Sequence, residues 1–217
     1  GSGLSERSEI QEAAYCVVSS SNIPMIADAE GTLAVKRWVK EKGGAGERLV
    51  LLTPHLGELA KLVDLPLKDV EAKHVEAALG FAREFGVFVL AKSSETFLAT
   101  PEGFTLYPPS GSPALAKGGS GDVLIGAIAA RTAVALKAAV NRTQYENDYL
   151  TASYFKSFPE ELRRNEKTLP WLEGIMRGYS LFSDASRFAR DFYKSDETPL
   201  AGEICDLIDA EEDVVEL

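Results

Sequence analysis

Over the first two thirds of the chain, short runs of β-branched and aliphatic residues alternate with longer amphipathic stretches, the pattern of helices packed on a mainly parallel sheet. Apolar positions from Glu9 to Ser20 recur at helical spacing, and Ile23-Pro24-Met25-Ile26-Ala27 then reads as a buried strand ending at Asp28. Thr32 to Lys42 is a second predicted helix, stopped by Gly43-Gly44. Arg48 to Leu52 is the next strand, and the proline of Thr53-Pro54-His55 ends it before a short helix from Leu56 to Val63. A longer helix runs from about Lys68 to Phe85, with His74 on its solvent side, and Val87 to Ala91 is a third buried strand. Thr96 to Ala99 and Phe104 to Tyr107, joined by Thr100-Pro101-Glu102-Gly103, form a predicted hairpin.

Beyond Tyr107 the texture changes. Pro108-Pro109-Ser110-Gly111-Ser112-Pro113 is turn-rich, Gly118-Gly119-Ser120-Gly121-Asp122 follows, and an apolar helix is expected from about Val123 to Val140. Asn141 to Leu217 carries no strand pattern, only helical stretches around Tyr145 to Ser157, Leu169 to Tyr193 and Ala201 to Ala210, then an acidic tail that should fray. The expected organisation is an α/β core over residues 1–140, with 141–217 as a helical segment packed on the same domain.

Composition narrows the functions open to such a fold. With 217 residues, 45% of them hydrophobic and 26% charged, the chain can bury a sizeable core. Lys plus Arg number 23 against 33 Asp plus Glu, a net charge of -10, so the molecule as a whole repels nucleic acid and anionic membranes. An anionic substrate therefore needs a local positive device. No apolar run approaches the roughly 20 residues of a membrane span. Cys16 and Cys205 make neither a disulfide framework nor a metal motif, which fits a reducing, cytoplasmic setting.

The glycine-rich segment is one such device. Glycines let successive N–H groups face one point, and the following helix adds its positive end, so Gly118-Gly119-Ser120-Gly121 can hold a phosphate. Asp122, in the first helical turn, is then placed to take a proton from a hydroxyl attacking phosphorus; equally, a carboxylate there complements a helix dipole. His55 and Glu58 follow a buried strand and can face the crevice where ligands of open α/β sheets bind, or can simply start a helix with Thr53 near its cap. Asp28-Ala29-Glu30-Gly31 ends a strand at the same edge, as paired carboxylates for magnesium or a hydroxyl, or as caps. Lys92 is either a phosphate contact or a lysine with its head in water.

These segments, in this order, resemble the ribokinase-like superfamily, and most closely the NAD(P)H-hydrate dehydratase family. The matching stretches are Asp28-Ala29-Glu30-Gly31, Leu52-Thr53-Pro54-His55-Leu56-Gly57-Glu58, Lys92, and the nearly continuous run from Ser112 through Lys117-Gly118-Gly119-Ser120-Gly121-Asp122 to Leu124. Gly1-Ser2-Gly3-Leu4, which could be a cloning remnant, is similar to the glycine-rich loop before a helix in the family. The resemblance implies a three-layer ribokinase-like fold. It implies dehydration of hydrated NADH or NADPH: the hydroxyl is phosphorylated by ADP or ATP, with Mg2+ on the phosphates, and phosphate is then eliminated. Asp122 would be the base, the amides of Gly119, Ser120 and Gly121 would stabilise the moving phosphoryl group, Lys92 would approach the nucleotide phosphates, and Asp28, His55 and Glu58 would hold the hydrated dinucleotide.

The chain departs from the family pattern at several points. Ser93-Ser94-Glu95 stands where glycines usually follow the lysine and sets a negative charge near the phosphates; Leu56 replaces a proline and Leu33 an asparagine. The family's first strands are missing, so a homo-oligomer or a second chain is expected to cover the sheet edge. A nucleotide-binding subunit without turnover, or a small-molecule kinase of the same superfamily, are the alternative functions.

Overall fold

The computed structural model describes residues 1, 3–140, 157–194 and 201–214. They form two compact units, Gly1–Tyr107 and Pro108–Leu217.

The first unit is the α/β part. Five strands, β1 (Met25–Ala27), β2 (Val50–Leu52), β3 (Phe88–Ala91), β4 (Phe97–Ala99) and β5 (Thr105–Leu106), lie in that order across one mixed sheet. β1, β2 and β3 are parallel, with Ala27 opposite Leu52 and Leu52 opposite Val89. β3, β4 and β5 are antiparallel neighbours, and β4 with β5 is the predicted hairpin. β1 ends the sheet and, among the described residues, pairs on one side only. Its first predicted residues fall outside the ladder because Ile23 is solvent-exposed.

Helices α1 (Ser8–Ser20), α2 (Gly31–Lys42), α3 (Leu56–Val63) and α4 (Leu67–Phe85) supply the apolar stripes that close one core with Val50, Leu52, Val89, Ala91, Phe97 and Ala99 of the sheet. The alternate residues Leu51, Phe88, Leu90 and Leu98 are apolar too, so both faces of the sheet are built to be covered. α2 ends at Gly43, whose φ of 74° is the left-handed stop expected there. α4 is kinked at Lys73, where φ is -142°. His74 therefore turns inward: it is half-buried with its ring 5.6 Å from that of Phe97, which corrects the expectation of a solvent-facing residue.

The second unit is helical. A 3-10 turn (Pro113–Leu115) leads to α5 (Ser120–Val140), followed by the short α6 (Glu160–Arg164), α7 (Leu169–Tyr193) and α8 (Ala201–Val214). Most of the helical stretch expected around Tyr145 to Ser157 lies outside the described residues. α8 continues past Ala210, where the tail was expected to fray. By length and composition α5 is apolar enough to cross a bilayer, which corrects the expectation that nothing in the chain approaches that length.

In the structure α5 is antiparallel to α7 along a seam made by two glycines four residues apart. A Cβ on Gly174 would lie 2.3 Å from the Thr132 Cα, and one on Gly178 would lie 2.5 Å from the Ile128 Cα. Only hydrogen at those positions allows the backbones to approach so closely. Thr132, buried in the seam, satisfies its hydroxyl by donating to the Ile128 carbonyl at 2.7 Å.

Candidate functional site

In the first unit, the carboxyl ends of the three parallel strands bring Asp28, Thr53 and Lys92 together, each the residue directly after its strand. Asp28 Oδ1 accepts from Thr53 Oγ1 at 2.6 Å and from Lys92 Nζ at 2.6 Å. The backbone holds both partners in place: Thr53 N donates to the Ala27 carbonyl at 3.1 Å and Lys92 N to the Pro54 carbonyl at 2.8 Å. Ala29, with φ of 49°, swings the chain sharply out of β1 into α2. Lys92 is thus neither a solvated edge lysine nor, as it stands, a lone cation: it is half of an ion pair with a buried carboxylate. Thr53, expected near a helix cap, is instead the hydroxyl that fixes Asp28.

His55 takes the capping role. It is the N-cap of α3, and its Nδ1 accepts from the amides of Gly57 at 3.0 Å and Glu58 at 3.2 Å. Glu58 Oε2 accepts in return from the His55 amide at 2.9 Å, completing a capping box. Because Nδ1 accepts two hydrogen bonds, the imidazole proton sits on Nε2, which lies 3.3 Å from Glu58 Oε1. His55 is 61% exposed, so the Nε2 edge is accessible while the other nitrogen is spent on the helix. The helix-start reading and the ligand-facing reading are therefore compatible for His55.

Glu58 also lines a small, shallow depression open to solvent, together with Glu6, Glu30 and Lys61. Lys61 is paired with Glu6, so the remaining charge of that depression is negative. Such a lining repels phosphate and favours hydroxyl and amide groups. Among the described residues no three His, Cys, Asp or Glu side chains gather as metal ligands.

The segment after Lys92 is closed on itself. Ser93 Oγ donates to the Glu95 carbonyl at 2.8 Å and accepts from the Glu95 amide at 3.2 Å, while Thr96 Oγ1 donates to the Ser93 carbonyl at 3.1 Å. Hydroxyls here occupy backbone groups that a glycine turn would leave open.

In the second unit, Gly119 has φ of 88° and lets the chain turn into α5. Ser120 fastens this turn, its Oγ donating at 2.7 Å to the carbonyls of both Leu115 and Lys117. The Ser120 and Asp122 amides are directed to the carbonyls of Lys117 and Gly119, at 3.3 and 3.1 Å. Those of Gly118, Gly119 and Gly121 meet no carbonyl among the described residues. Of the expected set Gly118, Gly119, Ser120 and Gly121, only the Ser120 amide is directed to a carbonyl, and Ser120 contributes its hydroxyl to loop geometry. Three unspent amides at the start of a 21-residue helix suit an anion. Asp122 lies exposed in the first turn of that helix.

Comparison with solved structures places the fold. The chain superposes on the ADP/ATP-dependent NAD(P)H-hydrate dehydratase of Bacillus subtilis, co-crystallized with ATP and Mg2+, with a TM-score of 0.65 and 24% identity over 96% of this chain and 60% of that one. A ribokinase-like superfamily protein from Enterococcus faecalis matches with a TM-score of 0.62 and 19% identity, covering 96% of this chain and 59% of the other. The fold is ribokinase-like. In sequence, the chain is 37% identical over 133 residues to the bifunctional NAD(P)H-hydrate repair enzyme of Thermofilum pendens, covering 60% of this chain and 25% of that protein. It is 35% identical over 128 residues to the ADP-dependent (S)-NAD(P)H-hydrate dehydratase of Bacillus subtilis, covering 59% of this chain and 44% of the relative. The chain thus spans less than half the length of these curated relatives. Residues 1–157, well over half of the chain, match the family model described as NAD(P)H-hydrate dehydratase, and the chain belongs to that family.

Proposed function

We propose that this chain carries the nucleotide-handling part of an ADP- or ATP-dependent dehydratase acting on hydrated NADH or NADPH. The observation that carries the reading is the turn into α5, where the amides of Gly118, Gly119 and Gly121 meet no carbonyl among the described residues and Asp122 stands exposed in the first turn of the helix. Those amides would hold the transferring phosphoryl group as its charge grows. Asp122 would take the proton from the hydroxyl of the hydrated ring as that oxygen bonds to phosphorus and the bond to the leaving nucleotide breaks. Phosphate then departs with the carbon–oxygen bonding pair while the neighbouring carbon loses a proton, which restores the reduced nicotinamide. Magnesium would sit on the nucleotide's own phosphates and neutralise part of their charge. In the first unit, Lys92 would meet nucleotide phosphate, and the exposed edge of His55 with Glu58 would meet hydroxyl and amide groups of the dinucleotide. Cys16 and Cys205 are free and exposed, in keeping with a cytoplasmic protein.

A second reading is favoured by the closed Ser93–Thr96 turn: a family member that binds nucleotide without turnover, since that turn offers fewer open amides to phosphate. One assay separates the two. The folded chain is incubated with hydrated NADH, magnesium and ADP or ATP, and the absorbance of reduced nicotinamide is followed. Turnover that Asp122→Asn lowers by about 100-fold or more, with nucleotide affinity within a few-fold of the original, meets the expectation for a general base. No recovery with either nucleotide leaves the binding-subunit reading.

A further inference from the structure

Burying an ion pair is costly, because the desolvation of both charges offsets their attraction, and an apolar pair of the same volume is often as stable. The Asp28–Lys92 pair is therefore not explained by stability. Its geometry is one-sided: the Asp28 side chain is 7% exposed and the Lys92 side chain 23%, so the carboxylate is the more enclosed partner and the lysine the more open one. Asp28 Oδ1 takes hydrogen bonds from both Thr53 and Lys92, at 2.6 Å each, and among the described residues Asp28 is the one side-chain partner of the Lys92 ammonium. An ammonium carries three donors, and the pair uses one of them.

We propose that Asp28 is a positioning residue rather than a ligand of the hydrated dinucleotide. Fixed by Thr53, it anchors the Lys92 ammonium over the carboxyl edge of the parallel strands so that the remaining donors are presented to a phosphate. The inference rests on the proposed function in one respect, that Lys92 meets nucleotide phosphate, and it replaces the substrate-contact role that the family resemblance implied for Asp28. A four-carbon stem samples many rotamers when free, and holding it in one before the ligand arrives removes an ordering cost from binding.

Two measurements test it on the full chain, using wild type, Asp28→Asn, Lys92→Met, the double variant and Thr53→Val, each checked for native circular dichroism. The first needs no nucleotide: acylation of Lys92 by an amine-reactive reagent, followed by peptide mass spectrometry with exposed Lys73 as the internal reference. Lys92 should react several-fold faster in Asp28→Asn, and also faster in Thr53→Val, which keeps the carboxylate but loosens it. The second compares ADP with adenosine by calorimetry. The preference for ADP should fall about ten-fold in both Asp28→Asn and Lys92→Met, as expected for loss of a charge-assisted hydrogen bond. Adenosine affinity should hold, and the double variant should be no weaker than Lys92→Met alone. Equal loss for ADP and adenosine would make Asp28 merely structural and overturn the proposal. So would an unchanged ADP preference accompanied by weaker binding of hydrated NADH. A wild-type chain that binds neither ADP nor adenosine overturns the functional reading and the phosphate role of Lys92 with it; unchanged Lys92 labelling in Asp28→Asn overturns the anchoring itself.

Discussion

Gly178→Ala is a sharp test of how the helical unit is built, because two opposing effects have known sizes. In an open helix, replacing glycine by alanine stabilises by about 0.5–1 kcal/mol through backbone entropy. At Gly178 the new Cβ would lie 2.5 Å from the Ile128 Cα, 2.7 Å from the Ile128 N and 2.9 Å from the Ala127 carbonyl carbon. Carbon atoms rest at about 3.5–4.0 Å, so α5 and α7 must part by roughly 1 Å and forfeit dispersion along the seam. The obstructing atoms are main chain and cannot rotate aside, so the upper half of the usual overpacking range of about 1–3 kcal/mol applies, for a net loss of about 1–2.5 kcal/mol after the entropy gain. Gly126, also in α5, would place its Cβ in open space, and Gly126→Ala should stabilise by about 0.5–1 kcal/mol. Gly80→Ala, with nothing near its Cβ in α4, is the matching control in the other unit. Each kcal/mol shifts the unfolding midpoint by about 2–4 °C in a protein of this size, so calorimetric scans should separate the variants clearly. If Gly178→Ala raises the midpoint as Gly126→Ala does, the seam is not set by close backbone contact.

Two further outcomes follow from the capping box and the acid–base pairs. His55→Ala should destabilise by about 1 kcal/mol through loss of the α3 cap, whereas His55→Asn, which can accept the same amides, should unfold within a few tenths of wild type; equal midpoints for the two would mean that the imidazole does not cap the helix. Lys36 and Lys40 hold the Asp64 carboxyl down to about 2 from the ordinary 3.8. Because the folded value is the lower one, the contribution of these pairs is complete above about pH 4 and disappears as pH falls through about 2. Denaturant unfolding across that window should therefore show a shallower acid loss in Asp64→Asn, by under about 1 kcal/mol since the pairs are exposed; an unchanged slope would count against it.

Much of this architecture is readable in the chain before any coordinates. The bounds of α3 and α7 match the predicted Leu56–Val63 and Leu169–Tyr193, because proline before one and within the first turn of the other marks a start that the hydrophobic period then extends. The parallel strands and the hairpin follow from runs too apolar to face water. What the pattern does not carry is partner choice. Thr53 and His55 are both plausible caps, and only the arrival of Asp28 from β1 assigns the threonine to a carboxylate and leaves the cap to histidine. His74 reads as a polar face until the kink at Lys73 turns it onto Phe97. The seam was foreshadowed by Gly174 and Gly178 at a spacing of four, a signal for close helix approach that a search for chemistry passes over. Likewise the glycines around Gly119 predict a tight turn whose amides can face one point, but which amides remain open depends on how Ser120 fastens the turn.

The contacts at the sheet edge join residues far apart along the chain: Thr53 is 25 positions from Asp28, and Lys92 is 64. Closing such long loops has an entropic cost that is met only when the strands between them are already docked. No isolated hairpin or helix–strand fragment can make this cluster, so it is absent until the whole parallel core has assembled, and a one-residue slip of β1 would bring an alanine where the carboxylate belongs. On the proposal that Lys92 meets phosphate, affinity at that edge is withheld from half-made chains, and an anion bound there shifts the equilibrium toward the finished sheet alone.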